Sequence, residues 1–247
     1  MNYPRVFFGT MHSNESEFDQ CKLMVSLQKD LQSHHHQIIE GLQEKEAHNA
    51  LWASWESQKE NFDLFVKIDA DTVLMDEYSI SRVWKLFEEN KRVTGVQIRL
   101  HDYFTDSLIS GLNFFSPVVK FNTSPDLYCD RVDTNHDVVL KGDCVKHLEP
   151  IGYHCKNPSL AQSFHYGLHR MLKNQVETMR KVSKAKREEQ RKFALLGASF
   201  ALNSKSKFLS GDNSSYSNSV FIESYEEALN LSPGDQDILI ANLEKSL

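Results

Sequence analysis

Residues 62–74 read FDLFVKIDADTVL: an apolar run, two aspartates one residue apart, then an apolar run again. Leu64–Ile68 predicts a buried strand that delivers Asp69 and Asp71 at its carboxyl end. Carboxylates this close raise each other's pKa, and burial raises it further. The pair therefore needs a cation beside it, or the two acids share proton chemistry. A surface turn with two acids is the plainer alternative. The apolar residues on both sides hold the pair at the edge of a core instead.

Working outward, Arg5–Thr10 (RVFFGT) predicts a buried first strand. A helix-start signature follows near Asn14-Glu15-Ser16-Glu17, and Phe18, Cys21, Val25 and Leu31, with Met24 and Leu27 beside them, recur at helical spacing. His35–Leu42 predicts a second strand and Glu44–Lys59 a helix carrying Leu51, Trp52 and Trp55. Behind the aspartates, Ile80, Val83, Trp84 and Phe87 mark a helix. Val93–Leu100 and Val118–Phe121 read as strands, 122–135 as a polar loop, and Ile151–His154 as a short strand. Asn157-Pro158-Ser159 then punctuates the chain before a helix from about Leu160. Strands alternating with helices predict an α/β fold, a Rossmann-like mixed sheet flanked by helices. In such sheets ligands collect at the carboxyl ends of strands, where Thr10–Glu15 and Asp69–Asp71 both fall. Beyond Asn174 come an apolar helix (Phe193–Leu202), a Ser/Asn-rich loop and two short helices in Tyr225–Leu247. The expected division is a catalytic domain, 1–174, and a helical C-terminal appendage, 175–247.

Bulk composition narrows the class. A chain of 247 residues, 40% hydrophobic and 25% charged, has the make-up of a globular protein. A net charge of −6 offers no general attraction for nucleic acid. No stretch approaches the roughly 20 apolar residues of a transmembrane span. The N-terminal residues lack signal-peptide architecture. The four cysteines, Cys21, Cys129, Cys144 and Cys155, form no C-x-x-C pair. Reduced thiols and a cytoplasmic location are expected. Residues 173–192 hold eight Lys/Arg against three acids. They read as a solvated helix face or linker, or as a peripheral contact with an anionic membrane surface or partner.

Several side chains are candidates for chemistry. Asp69 and Asp71 suit a hard divalent cation, Mg²⁺ or Mn²⁺, shared with substrate phosphates. His165, His169 and Lys173 are four residues apart, one stripe on a helix with Arg170 beside it. That stripe presents hydrogen-bonding or cationic groups to phosphate, or it is a solvated face. His165-x-x-x-His169 would be half of a zinc site, but no third ligand stands at a helpful spacing. His154 ends a short apolar strand and is either a delivered ligand or a buried structural histidine. His34-His35-His36 reads as a solvated or edge segment.

RVFFGTMHSNESEFDQCKLMVSLQ followed by LFVKIDADTVL resembles the nucleotide-sugar-dependent glycosyltransferases of the A-type fold, in particular their large, mostly inverting family of bacterial polysaccharide-type enzymes. Thr10 and Asn14-Glu15 match that family's first-strand segment, and Asp69 and Asp71 match its Asp-x-Asp metal motif. IGYHCKNPSLAQSFHYGLHRMLK resembles a later motif of a subgroup, in which a histidine closes the metal site and basic residues approach the diphosphate. The resemblance covers residues 5–174. It implies a Mn²⁺ or Mg²⁺ site of Asp69, Asp71 and His154, and transfer from a nucleoside-diphosphate sugar to a glycan or other hydroxyl acceptor. Donor contacts would come from Thr10, His12, Glu15, Asp69, His169, Arg170 and Lys173. The family's usual Glu-Asp base is not matched; Asp137 and then Asp133 are the nearest candidates for general base. Acceptor recognition falls on the predicted loop Arg99–Ser110, with Phe114 and Phe115.

Two alternatives stand beside this. Asp69-Ala70-Asp71-Thr72-Val73 also resembles the first motif of haloacid-dehalogenase-like phosphatases, although that family carries it on its first strand. The other is a catalytically silent module that keeps the sugar-nucleotide fold and uses its helical tail for partners.

Overall fold

In the computed structural model, which describes residues 3–121, 138–141, 148–208 and 216–247, one eight-stranded mixed sheet organises the chain. Its strands are β1 (Arg5–His12), β2 (Ser33–Glu40), β3 (Leu64–Lys67), β4 (Thr72–Leu74), β5 (Val93–Asp102), β6 (Ser107–Phe115), β7 (Val138–Lys141) and β8 (Gly152–His154). The order is β2-β1-β3-β6-β5-β8-β4, with β7 also paired to β5. β1 lies between two parallel partners, β2 and β3, while β6 runs antiparallel to β3 and β5. The helices are α1 (Phe18–Ser26), α2 (Glu44–Gln58), α3 (Ser79–Glu89), α4 (Leu160–Leu172), α5 (Val176–Lys184), α6 (Glu189–Asn203), α7 (Ser219–Asn230) and α8 (Pro233–Ser246).

The period of two along β1 and β3 sorts their side chains between two helical layers. Val6, Phe8, Leu64 and Val66 pack with Cys21 and Val25 of α1 and Ile80 and Val83 of α3. Phe7 and Phe65 point the other way, into Leu51, Trp52 and Trp55 of α2. Both faces are therefore covered, which is why these strands read as continuous apolar runs. Gly9 is small for the same reason: a Cβ there would lie 2.6 Å from Leu51 Cδ1 and 2.8 Å from Phe65 Cε2.

A third apolar cluster joins Phe104, Cys155 and α4 to α5, α6, α7 and α8. Its centre is the crossing of α4 and α6, where Gly167 and Gly197 let the backbones touch. The expected boundary at residue 174 thus cuts through shared packing, because α4 belongs to the same core as the tail helices. Arg191, 4% exposed, pins α6 to the β5–β6 turn through the carbonyls of Tyr103 and Phe104 and the carboxylate of Asp106.

Several local expectations are corrected. Arg99–Ser110 is no loop: it is the end of β5, a tight turn and the start of β6. At the end of β5 its mixture of polar and apolar residues follows the pleat, with Leu100 and Asp102 buried and His101 exposed between them. Phe114 is fully buried and so not available to a sugar, while Phe115 is partly buried and packs against Phe65 and Phe121. Val118–Phe121 forms no strand; Phe121 alone makes a bridge. α1 starts at Phe18, and Asn14 does not cap it. Residues 173–192 break between α5 and α6, and Arg180, Arg187, Arg191 and Lys192 pair with acids of the chain. No helix among the described residues is long and apolar enough to cross a membrane. Asp133 and Asp137, with Cys129 and Cys144, lie outside the described residues.

Candidate functional site

The carboxyl ends of β1 and β3 open into a cleft of about 250 Å³, closed on its far side by β8 and α4. Asp69 and Asp71 stand in it, each with its own cationic partner. Lys67, the last residue of β3, is 13% exposed and its ammonium pairs with the Asp69 carboxylate. Loss of water in the cleft raises Asp69, but the charge and hydrogen bond of Lys67 outweigh it and hold the carboxyl below its ordinary value. Asp71 turns toward β8, because β4 and β8 pair with Thr72 opposite His154. Its Oδ2 lies 3.4 Å from His154 Nε2 and accepts a hydrogen bond from the Cys155 thiol at 3.2 Å. Its Oδ1 is buried and accepts no hydrogen bond among the described residues.

His154 is oriented from behind. Asp102, whose side chain is completely buried, meets His154 Nδ1 at 2.6 Å and accepts from the Thr105 backbone N–H at 2.8 Å and hydroxyl at 2.6 Å. With Nδ1–H donated to Asp102, Nε2 is the ring nitrogen that faces Asp71. Burial pushes the imidazole pKa down, but the charges of Asp71 and Asp102 overcome this and raise it. Cys155 sits at φ +51°, a left-handed conformation uncommon outside glycine. Its N–H bonds to the Asp71 carbonyl at 2.9 Å. Burial and the neighbouring acids push its thiol well up, so it stays protonated at neutral pH.

The α4 stripe reaches the cleft with a different character from the one expected. His165, His169, Arg170 and Lys173 all line it. Burial lowers His165 to about 3 and drives His169 well below the ordinary value, so both imidazoles are neutral. His169 therefore brings no charge to a diphosphate; its Nε2 lies 3.6 Å from Glu44 Oε1. Glu44, pushed by burial up to about 7, and His48, pushed down to about 4, enter the same cleft from α2. The cations left on the stripe are Arg170, over the Tyr166 ring at 4.8 Å, and Lys173.

At the end of β1 only part of the expected set is present. Glu15 lines the cleft, and its carboxylate accepts from the N–H groups of Ser13 at 2.8 Å and Asn14 at 3.1 Å. Thr10 is fully buried, its hydroxyl bonded to His36 Nε2 at 2.9 Å, so it touches no ligand. His12 also lies off the cleft, stacked on Phe18 with centroids 3.7 Å apart and bonded to Glu40. The β1–α1 loop is tied to the β8–α4 loop by buried Glu17, which accepts from the Asn157 N–H and the Gln162 amide.

Lys67, Glu44, His48, Asp102, Glu17 and Tyr216 were not among the expected site residues. Lys67 had a signal, being the one charge in an otherwise apolar strand. The others had none, since tertiary packing alone brings them in. Beyond His154 a second cleft of about 270 Å³ is lined by His101, Asp106, Tyr153 and Lys156 among others. The rings of His101 and Tyr153 stack there with centroids 5.5 Å apart.

No family model and no curated protein matches this chain. Solved structures that align with it include A197 from STIV, at 11% identity over 45% of this chain and 64% of that one, with a TM-score of 0.34. Another is a glycosyltransferase involved in the glycosylation of the major capsid of PBCV-1, at 12% identity over 46% of this chain and 60% of that one, with a TM-score of 0.31. The aligned part spans less than two thirds of either protein.

Proposed function

We propose that this protein is a metal-dependent glycosyltransferase of the A-type fold, moving a sugar from a nucleoside-diphosphate sugar to a hydroxyl acceptor on a glycan or glycoconjugate. The observation that carries the reading is the 3.4 Å approach of Asp71 to His154 in a cleft also lined by Lys67, Arg170 and Lys173. Asp71 Oδ1 has no hydrogen-bond partner among the described residues, and with Nδ1 held by Asp102 the Nε2 of His154 is the ring nitrogen open to a metal once its proton leaves, so the two fit a divalent cation. They would hold it with Asp69 beside them. The imidazole donor favours Mn²⁺ over Mg²⁺, which prefers oxygen throughout. When bound, the metal would neutralise charge growing on the diphosphate leaving group.

The chain's own groups would do the rest. Lys67, Arg170 and Lys173 would donate charge-assisted hydrogen bonds to phosphate oxygens. Glu15 and its loop would meet the nucleoside. The acceptor would use the second cleft, where His101 and Tyr153 offer ring faces and Asp106 and Lys156 polar edges. Asp137, then Asp133, stays the base assigned by the family resemblance, and an inverting outcome goes with it. Exposed Lys181 and Lys184 of α5 are the groups that would touch an anionic membrane surface, from the cytoplasmic side. The phosphatase alternative requires Asp69 as a nucleophile on the first strand; here it follows β3 and is paired with Lys67.

Calorimetric titration with UDP and GDP, each with and without Mn²⁺, tests the reading on the native chain and on Asp71→Ala. Nucleotide binding that needs Mn²⁺ and disappears in Asp71→Ala is the expected result. Absence of metal-dependent binding to either nucleotide overturns it and leaves the silent-module alternative.

A further inference from the structure

A second group of metal-ligand side chains faces the cleft, and the transferase reading leaves it unused. Glu44 opens α2, while His165 and His169 lie one turn apart on α4. A carboxylate oxygen and two imidazole nitrogens, one from each residue, lie within 4.8 Å of one another. Glu44 Oε1 and His169 Nε2 are 3.6 Å apart. Four ligands at about 2.1 Å around a tetrahedral zinc ion stand roughly 3.4 Å from each other. The Glu44–His169 pair is already near that spacing, and the His165 ligand nitrogen lies within 4.8 Å of both.

The surroundings keep these groups in place. His165 stacks on Tyr216 with centroids 4.5 Å apart, and its ring lies 5.2 Å from that of His169. The first turn of α2 is held by His48, whose Nδ1 donates to the Glu44 carbonyl at 2.9 Å. Burial keeps both imidazoles unprotonated at neutral pH, the form a metal requires. The residues missing from the local His-x-x-x-His pattern are therefore supplied from another helix, by Glu44.

We infer that Glu44, His165 and His169 form a binding site for a divalent metal ion of the zinc class, separate from the Asp71–His154 pair. Two imidazoles and one carboxylate with a position left open form the ligand set of zinc sites that take water or substrate in the fourth position. Two nitrogen donors also select against Mg²⁺. Lys67 and Lys173 act on Glu44 and oppose a dication, so the site is weaker than a closed four-ligand zinc site.

The test uses the full chain, stripped with a chelator and titrated with Zn²⁺ against a chromophoric competitor. Co²⁺ absorption in the visible serves as the readout of ligand geometry. Because Asp71, His154 and Cys155 also cluster, the measurement is made in Asp71→Ala/Cys155→Ala. One equivalent of Zn²⁺ is expected to remain, with the strong Co²⁺ bands of a low-coordinate nitrogen–oxygen site. Adding Glu44→Gln or, separately, His165→Gln should weaken it by about a hundredfold or more, since loss of even an outer partner of a ligand costs 10–100-fold. Far-UV circular dichroism of each metal-free variant reports its folding, and whichever variant folds decides the matter. No retained equivalent, or affinity unchanged by both added substitutions, overturns the inference. Either result leaves Mn²⁺-dependent nucleotide binding, read on the native chain against Asp71→Ala, to be judged independently.

Discussion

Asp102 Oδ1 lies 2.6 Å from His154 Nδ1, joining the end of β5 to the end of β8 directly behind the aspartate pair. The two residues are register partners in the sheet, so the contact is built into the strand pairing. The Thr105 N–H and hydroxyl take the other carboxylate oxygen, fixing the carboxylate before any ligand arrives. A histidine held this way presents one ring nitrogen at a set angle and is more basic as a ligand.

Asp102→Asn keeps the shape of this contact and removes its charge. The side chain keeps its volume, but with its single oxygen on the Thr105 N–H and hydroxyl its NH2 faces His154 Nδ1 and moves the imidazole proton to Nε2. Mn²⁺ affinity should fall 10–100-fold, the usual cost of losing an outer partner of a metal-bound histidine. Manganese paramagnetic resonance, titrating free against bound ion, measures this directly. An unchanged affinity would remove His154 from the metal site.

The α4–α6 crossing gives a prediction about stability. At an exposed helical position Gly→Ala gains about 1 kcal/mol from propensity. A Cβ on Gly197 would instead stand 2.0 Å from the Phe164 carbonyl oxygen, and one on Gly167 1.6 Å from that of Ala194. Neither carbonyl can move without breaking its helix. Gly197→Ala should therefore cost about 3 kcal/mol or more. Urea unfolding would show it as a lower midpoint, with the tail helices losing protection first in hydrogen exchange.

The central strands were legible because burial on both faces leaves an unbroken apolar run, as in Leu64–Val66 and Val6–Phe8. Helix α3 was legible because Ile80, Val83 and Phe87 repeat at the helical period. The aspartate pair and His154 were legible because each ends such a strand. β6 was hidden because a bulge in its pairing with β5 breaks the period of two and its outer face carries Ser110 and Asn113. Thr10 was misjudged for a physical reason: it alternates to a covered face, where only His36 reaches it. Asp102 and Glu44 had no local sign, since what matters about each is a neighbour distant in the chain.

His36 adds a pH dependence. Burial, with the nearby charges of His34 and His35, lowers its pKa to about 4 from an ordinary 6.5. On acidification the unfolded chain takes up this proton first. The contribution to stability is thus complete above pH 6.5 and is lost as pH falls through 4. The ring is partly exposed, so the loss should be about 1–2 kcal/mol rather than the full value of the shift. Urea midpoints of the metal-free protein at pH 7 and pH 4.5 should differ more for the native chain than for His36→Gln. Equal slopes in the two proteins would place the acid sensitivity elsewhere.

Lys67 answers why two carboxylates can stand at this strand end. It neutralises Asp69 in the free protein, and it also stands where a diphosphate would lie in the proposed reaction. These two tasks predict opposite consequences for Lys67→Met. Removing a cation from beside the aspartates should strengthen Mn²⁺ binding several-fold, because like-charge repulsion is relieved. Removing a charge-assisted donor should weaken nucleoside-diphosphate binding, measured at saturating Mn²⁺, by about tenfold or more, corresponding to roughly 1.5–3 kcal/mol. Calorimetry separates the two by titrating metal first and nucleotide second. If both affinities fall together, Lys67 supports the local structure and contacts no phosphate. If metal binding tightens while nucleotide binding is unchanged, Lys67 balances the aspartates alone and the phosphate contacts belong to Arg170 and Lys173.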